Sequence, residues 1–404
     1  MTIDDVLASA EAITSWQEDL YKDLHRHPEL SMQEQRTRTV IANKLAEFGY
    51  DVHEVGGGLV GVLANGPGKT VLFRADFDAL PVKENTGLDY ASTDTGTTID
   101  GETTPVMHAC GHDMHTAAAL GAASLMANHR DAWSGTYIAL FQPGEEIAAG
   151  AKAMVDDNLG GVIPKPDVAL GQHVLGDLVS GHVGTAAGPV LSTAASLRIT
   201  VFGKGSHGSM PHLGIDPVLL ASNIVVRLQS IVAREIAPSD FGVVTVGSLH
   251  AGNSANVIPA EATLQVNVRA YDEDIRDHII EAITRIVDSE CEGMRAPQQP
   301  RIEVFDTYPL TDNDQAVYET VTKGLVRGLG EGRVETLNPQ TASEDFSIIP
   351  DALGAPYCYW GFGAFTADQD VLPNHNPGFA PALQPTLTTG TQAAVAAALA
   401  FLGH

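Results

Sequence analysis

The chain has 404 residues, 44% hydrophobic and 18% charged, a balance that predicts two or three folded domains and excludes disorder. A net charge of −27 and a pI near 4.7 argue against nucleic acid or an anionic membrane as partner. An anionic substrate would need a local cation to capture it.

Helical apolar spacing covers 4–25 and 37–48. Short β-rich runs follow at 59–64, 71–75, 137–141 and 168–170, separated by helical segments at 114–128 and 149–157. Strands alternating with helices predict an α/β domain around a mostly parallel sheet. After Gly188 the pattern changes: strand 195–202, helix 217–235, strands 243–249 and 262–270, helix 274–292, strand 301–305. This β-α-β-β-α-β order is that of a ferredoxin-like unit. It predicts an inserted α+β lid domain at 189–307, with the catalytic domain formed by 1–188 and 308–404. The last part resumes with helix 315–328, strand 356–360 and an Ala-rich terminal helix, too short to span a bilayer. Three cysteines give no disulfide framework, which fits a reducing, cytoplasmic compartment.

Polar clusters fall where these strands end or a helix begins. Asp76 and Asp78 follow strand 71–75, Glu145 and Glu146 follow 137–141, and His173 follows 168–170. Cys110 and His112 flank Gly111 in a turn that opens the helix at Met114. His375 lies in a Pro/Asn/Gly-rich loop. In open α/β sheets, ligands gather outside the carboxyl ends of strands. Thiolate, imidazole and carboxylate together describe a transition-metal site. Of two adjacent glutamates, one can ligate while its neighbour faces the open side, the usual hydrolytic arrangement. Taken singly, Cys110 reads as a small buried side chain, the Glu pair as surface acids and His173 as a core histidine; their clustering favours a site. His108 and His115 compete with His112 as ligands, and the spacing to Cys110 favours His112.

Several stretches resemble the M20 metallopeptidase clan, in its branch of hippurate hydrolases, N-acyl-amino-acid amidohydrolases and auxin-conjugate hydrolases. They are HRHPELSMQE from His25, FRADFDALPVKENTG from Phe73, MHACGHDMHTA from Met107 and FQPGEE from Phe141. GKGSHGSMPH from Gly203, SANVIPAEATLQVNVR from Ser254 and SEDF from Ser343 complete the set. Within the branch the chain is similar to bacterial aminoacylases acting on N-acyl-glutamine-type conjugates.

The resemblance implies two divalent metal ions, Zn²⁺ first and Mn²⁺ or Co²⁺ as substitutes, held by Cys110, His112, Glu146, His173 and His375. It makes Glu145 the general base, His207 an oxyanion stabiliser, and Asn256 and Arg269 contacts for the substrate carbonyl or carboxylate. Asp76 and Asp78 would orient ligand imidazoles, and Asp345 the His375 loop; Arg74 has no assigned role. In relatives such a lid histidine often serves a neighbouring subunit, and the lid's edge strand implies a homodimer. Ser206 stands where relatives usually have Gly, and Gln172 and Asn374 precede ligand positions where other residues are common. Acyl group and amino acid therefore stay open. The expected reaction is hydrolysis of N-acyl-L-amino acids. Alternatives are a metallo-exopeptidase or dipeptidase, an N-acetyl-diaminopimelate-type deacetylase, a cysteine hydrolase pairing Cys110 with His112, and a non-catalytic binding protein.

Overall fold

A computed structural model describes residues 3–403 and divides the chain into two compact units. The first comprises Met1–Val190, Asp312–Pro339 and Asp345–His404; the second comprises Leu191–Thr311 and Gln340–Glu344. Against the expected bounds, the second unit starts at Leu191, runs on to Thr311 and gains the distant segment Gln340–Glu344.

The first unit is built on an eight-stranded sheet. In spatial order its strands are Asp51–Val55, Gly58–Asn65, Gly135–Gln142, Thr70–Asp76, Val168–Val179, Tyr357–Phe365, Val183–Thr185 and Val334–Thr336. The four central strands run parallel. Antiparallel pairs flank them on both sides. Central strands in such sheets are covered on both faces and read as continuous apolar runs. Thr70–Asp76 and Tyr357–Phe365 are buried along nearly their whole length.

Two Ala-rich helices, His112–Asn128 and Thr386–Leu402, are buried nearly all round, so neither shows a polar face. Their small side chains, Ala117–Ala119 and Ala393–Ala398, let the helices approach closely inside the main core. The expected first helix is two, Ile3–Ala8 and Ala10–Arg26, with the break at Ser9. Strand Asp51–Val55 escaped the sequence reading because only Val55 of its five residues is buried.

The second unit is a four-stranded antiparallel sheet in the order Gly242–Ala251, Glu261–Ala270, Thr193–Phe202, Arg301–Tyr308. Chain order 2-3-1-4 with helices Pro217–Leu228 and Glu273–Gly293 is the ferredoxin-like arrangement. Each helix begins at an aspartate whose carboxylate accepts backbone N–H groups. Asp216 takes Val218 and Leu219, and Asp272 takes Asp274 and Ile275. The segment Pro217–Arg234 is long and apolar enough to cross a membrane by composition. Here Leu220, Ala221, Ile224, Leu228 and Ile231 on its inner face belong to the core of this unit.

Candidate metal centre

The site lies in the first unit, at the carboxyl edge of the parallel strands. Gly111 enters helix His112–Asn128 with φ +86°, and a Cβ there would sit 2.5 Å from Val174 Cγ1. Only glycine fits this turn, which sets Cys110 and His112 side by side. Strand Gly135–Gln142 runs through Pro143 and Gly144 (φ +54°) into a single 3-10 turn, Glu145–Ile147. Strand Val168–Val179 outruns its neighbour Thr70–Asp76, whose pairing stops at Arg74 and Gly171. His173 is therefore inside its strand, two residues past the pairing on that side.

Side-chain donors from these elements form overlapping groups, each with its atoms within 4.8 Å of one another: Cys110, His112 and His173; Cys110, Glu146 and His375; His112, Glu145 and Glu146. Cys110 Sγ lies 3.4 Å from His173 Nε2. Glu146 Oε2 lies 3.3 Å from His375 Nε2, and Oε1 lies 3.8 Å from His112 Nε2.

The ring tautomers follow from the outer contacts. His112 Nδ1 faces Asp78 Oδ1 at 3.1 Å, and His173 Nδ1 donates to the Val174 carbonyl at 2.8 Å. Both rings thus turn Nε2 toward the cluster. His112 Nε2 and Glu146 Oε1 are buried with no hydrogen-bond partner among the described residues. Buried polar atoms left without a partner are costly, and a cation satisfies both. Burial opposes a charge on His112, yet the carboxylates of Asp76, Asp78 and Glu146 push its pKa up to about 10. Burial, reinforced by Glu146, Glu145 and Asp76, raises the Cys110 thiol well above its ordinary value. Burial, with His115 beside it, holds His173 well below the usual imidazole range. The field is that of a site asking for positive charge. The donor set of one thiolate, three imidazoles and carboxylates fits divalent transition metals.

His115 and Asp76 also meet His112 in a compact group, but their atoms are committed elsewhere. The Val174 N–H donates to His115 Nε2 (2.8 Å), while Asp76 Oδ1 accepts from Nδ1 (2.5 Å). Asp76 Oδ2 is held by Arg74 Nη1 at 2.6 Å. Asp76 thus orients His115, which anchors the backbone beside His173, and its Oδ2 also lies 3.7 Å from His112 Nε2. Asp345 accepts hydrogen bonds from Arg74 Nη2 (3.2 Å), Gln142 Nε2 (2.6 Å) and the Ala151 N–H (3.2 Å), partners the sequence did not suggest. His108 is buried and joins no donor group among the described residues.

Two anchors of the glutamate turn escaped the sequence reading. Glu34 Oε1 accepts the N–H groups of Gly144 (2.9 Å) and Met32 (2.8 Å). Asp78 Oδ2 accepts Ser31 Oγ (2.7 Å) and the Glu146 N–H (3.1 Å). Glu34 and Ser31 belong to the HRHPELSMQE stretch, whose composition alone suggests nothing but a helix start.

In the second unit, exposed His207 sits on a two-residue strand paired with Val257–Ile258. Gly208 N–H donates to the carbonyl of exposed Asn256 (2.7 Å), so the two candidate residues flank one short antiparallel ladder between distant stretches of chain. Ser209 N–H donates to His207 Nδ1 at 3.1 Å, which leaves Nε2 as the donor nitrogen. Arg269 spends Nε on Asn267 (3.1 Å) and Nη1 on the Thr341 carbonyl (2.6 Å) and Ser343 Oγ (3.1 Å). In this geometry it ties segment Gln340–Glu344 to the second unit's sheet.

Residues 72–400 match the model of peptidase family M20/M25/M40. The chain is 35% identical to thermostable carboxypeptidase 1 of Saccharolobus solfataricus, over 91% of each chain. It is 34% identical to hippurate hydrolase of Campylobacter jejuni, over 90% of each. A dinuclear metal-binding M20 peptidase of Bacillus subtilis superposes with a TM-score of 0.76 at 28% identity, covering 96% of this chain and 99% of that one. The chain belongs to peptidase family M20/M25/M40.

Proposed function

We propose that this protein hydrolyses the amide bond of small N-acyl-amino acids, releasing a carboxylic acid and a free amino acid. It is a metal-dependent amidohydrolase. The observation that carries this reading is the convergence of Cys110, His112, Glu146, His173 and His375 donor atoms, buried at Cys110 and His112 and exposed at His375, with a second carboxylate, Glu145, beside them. Bound by these five residues, a pair of divalent cations, Zn²⁺ first and Mn²⁺ or Co²⁺ as substitutes, would polarise the scissile carbonyl and acidify a water.

Glu145 then serves as the general base. It takes a proton from the attacking water and returns it to the leaving nitrogen. His207, its Nδ1 occupied by Ser209, offers Nε2–H to the oxygen that gains charge, and Asn256 contacts the substrate from the same short ladder. Arg269 would receive the substrate carboxylate through donors left beyond its ties to Asn267, Thr341 and Ser343. Cys110 does not fit the role of nucleophile, because burial raises its thiol where a nucleophilic cysteine needs it lowered. Three free, buried cysteines accord with the cytoplasm. Both edge strands of the second unit's sheet offer a surface for a homodimer.

The 35% identity to a carboxypeptidase supports a second reading, cleavage of a C-terminal residue from short peptides. A panel of N-benzoylglycine, N-acyl-glutamines and dipeptides separates the two, run with wild type and Glu145→Ala and with metal content measured in both. The expected result is preferential turnover of N-acyl-amino acids. Glu145→Ala should keep about two metal ions and lose about a hundred- to ten-thousandfold in kcat. Wild-type rates in the variant, or an active wild type without metal, would overturn the mechanism.

A further inference from the structure

The five proposed ligands arrive from four separate stretches of chain, and His375 is the least supported of them. It lies in the stretch between strand Tyr357–Phe365 and helix Thr386–Leu402, which contains neither helix nor strand. Its side chain is 54% exposed, so packing does not hold it. Its backbone has φ +68°, a conformation that costs a non-glycine residue about 1 kcal/mol or more and persists only where neighbours impose it. One backbone bond, His375 N–H to the Ala109 carbonyl at 2.8 Å, ties it to the Cys110 turn.

The neighbouring side chain does more. Asn374 Nδ2 lies 3.1 Å from the carbonyl of Cys110 and 3.2 Å from the carbonyl of Val174, with Cys110 Sγ at 3.9 Å. A single amide therefore joins the loop of His375, the residue bearing the thiolate, and the residue that follows His173. The Val174 carbonyl also accepts His173 Nδ1–H at 2.8 Å. A carbonyl has two lone pairs, and here one fixes the tautomer of His173 while the other receives Asn374.

We infer that Asn374 is a positioning residue of the metal centre, its amide clamping the Cys110 turn, the His173 strand and the His375 loop into one arrangement. No other side chain of this size supplies two N–H groups from one nitrogen. Aspartate would face two carbonyls and a sulfur without a proton, and an aliphatic side chain would leave the Cys110 carbonyl without its donor and the Val174 carbonyl with His173 alone. This inference rests on the metal-centre reading above, so its test must be able to fail separately from that reading.

The test is titration of metal-free protein with Co²⁺, following the thiolate-to-cobalt charge-transfer band and both dissociation constants. Wild type, Asn374→Ala and the similarly sized Asn374→Leu are compared, with circular dichroism and melting of the metal-free forms as controls. The expected result is affinity about 10–100-fold weaker in both variants, the usual effect of removing a group that orients a ligand. A shifted or weakened charge-transfer band should accompany it, with the metal-free fold unchanged. Wild-type affinity and an unaltered band in either variant would overturn the role. So would a loss confined to Asn374→Ala, since it would trace to side-chain volume. If the alanine variant does not fold, the leucine variant decides alone. A wild type that gives no thiolate–cobalt band would instead refute the metal-centre reading.

Discussion

The two units place polar side chains in opposite ways. The first buries them: Arg74, Asp76, Asp78, His112, Asp113 and His115 are each at most 2% exposed. Most of their polar atoms are matched, by one another or by neighbours such as His25 and Gln142. The second unit keeps its core of Leu197, Ile199, Leu220, Leu264, Val266 and Ile283 free of charge. Its functional candidates, His207 and Asn256, lie on the surface. Burying charge stabilises nothing by itself, because desolvation consumes most of the Coulombic gain. What it gives is orientation, since a fully satisfied network has few alternative arrangements. The first unit thus carries the cost of holding ligands rigidly, and the second presents groups that need only be reachable.

The largest expected effect comes from breaking that buried network. Arg74 is fully buried and joins Gln142, Asp76 and Asp345. Arg74→Met should destabilise the first unit by about 3–5 kcal/mol, because two carboxylates lose their buried countercharge. All three tryptophans, Trp16, Trp133 and Trp360, belong to this unit, so denaturant unfolding followed by their fluorescence reports on it directly. A loss under 1 kcal/mol would show that the network tolerates an unmatched charge, and the contrast between the units would weaken.

Arg74 also marks the limit of what was legible. The central strands, their parallel order, the ferredoxin-like unit and the clustering of Cys110, His112, Glu146 and His173 could be read because periodicity and strand ends are local properties. The direct partners of Asp76 could not be read: Arg74 and His115 are brought to it by pairing between Thr70–Asp76 and its neighbours and by the helix after Gly111. Asp345 sits about 270 residues from Arg74 in sequence, with no local signal linking them. Glu34 was hidden for another reason. A glutamate before an amphipathic run reads as a helix-start residue, and only the fold brings the Gly144 N–H to it.

A smaller effect is expected at the exposed site of the second unit. His207→Ala should lower kcat about a hundred- to a thousandfold through loss of one donor to the developing oxyanion. Its effect on stability should stay within about 0.5 kcal/mol, as for other surface positions. Steady-state kinetics on the best N-acyl substrate, paired with a melting curve, reads both. Unchanged kcat would remove His207 from the reaction. A large loss of stability would mean that its short ladder is structural, contrary to its exposure.

The smallest effect sharpens the contrast in the second unit itself. Asp272 accepts the N–H groups of Asp274 (2.8 Å) and Ile275 (3.2 Å) at the start of helix Glu273–Gly293. Water competes for those donors, so Asp272→Ala should cost about 1 kcal/mol. The loss should appear as faster native-state hydrogen exchange in that helix, with tryptophan-detected unfolding unmoved. Like Arg74, Asp272 is a charged residue holding polar partners. A severalfold smaller cost would therefore measure burial rather than the number of hydrogen bonds. If Asp272→Ala instead cost as much as Arg74→Met, surface caps and buried networks would be energetically alike, and burial would not be what distinguishes the two units.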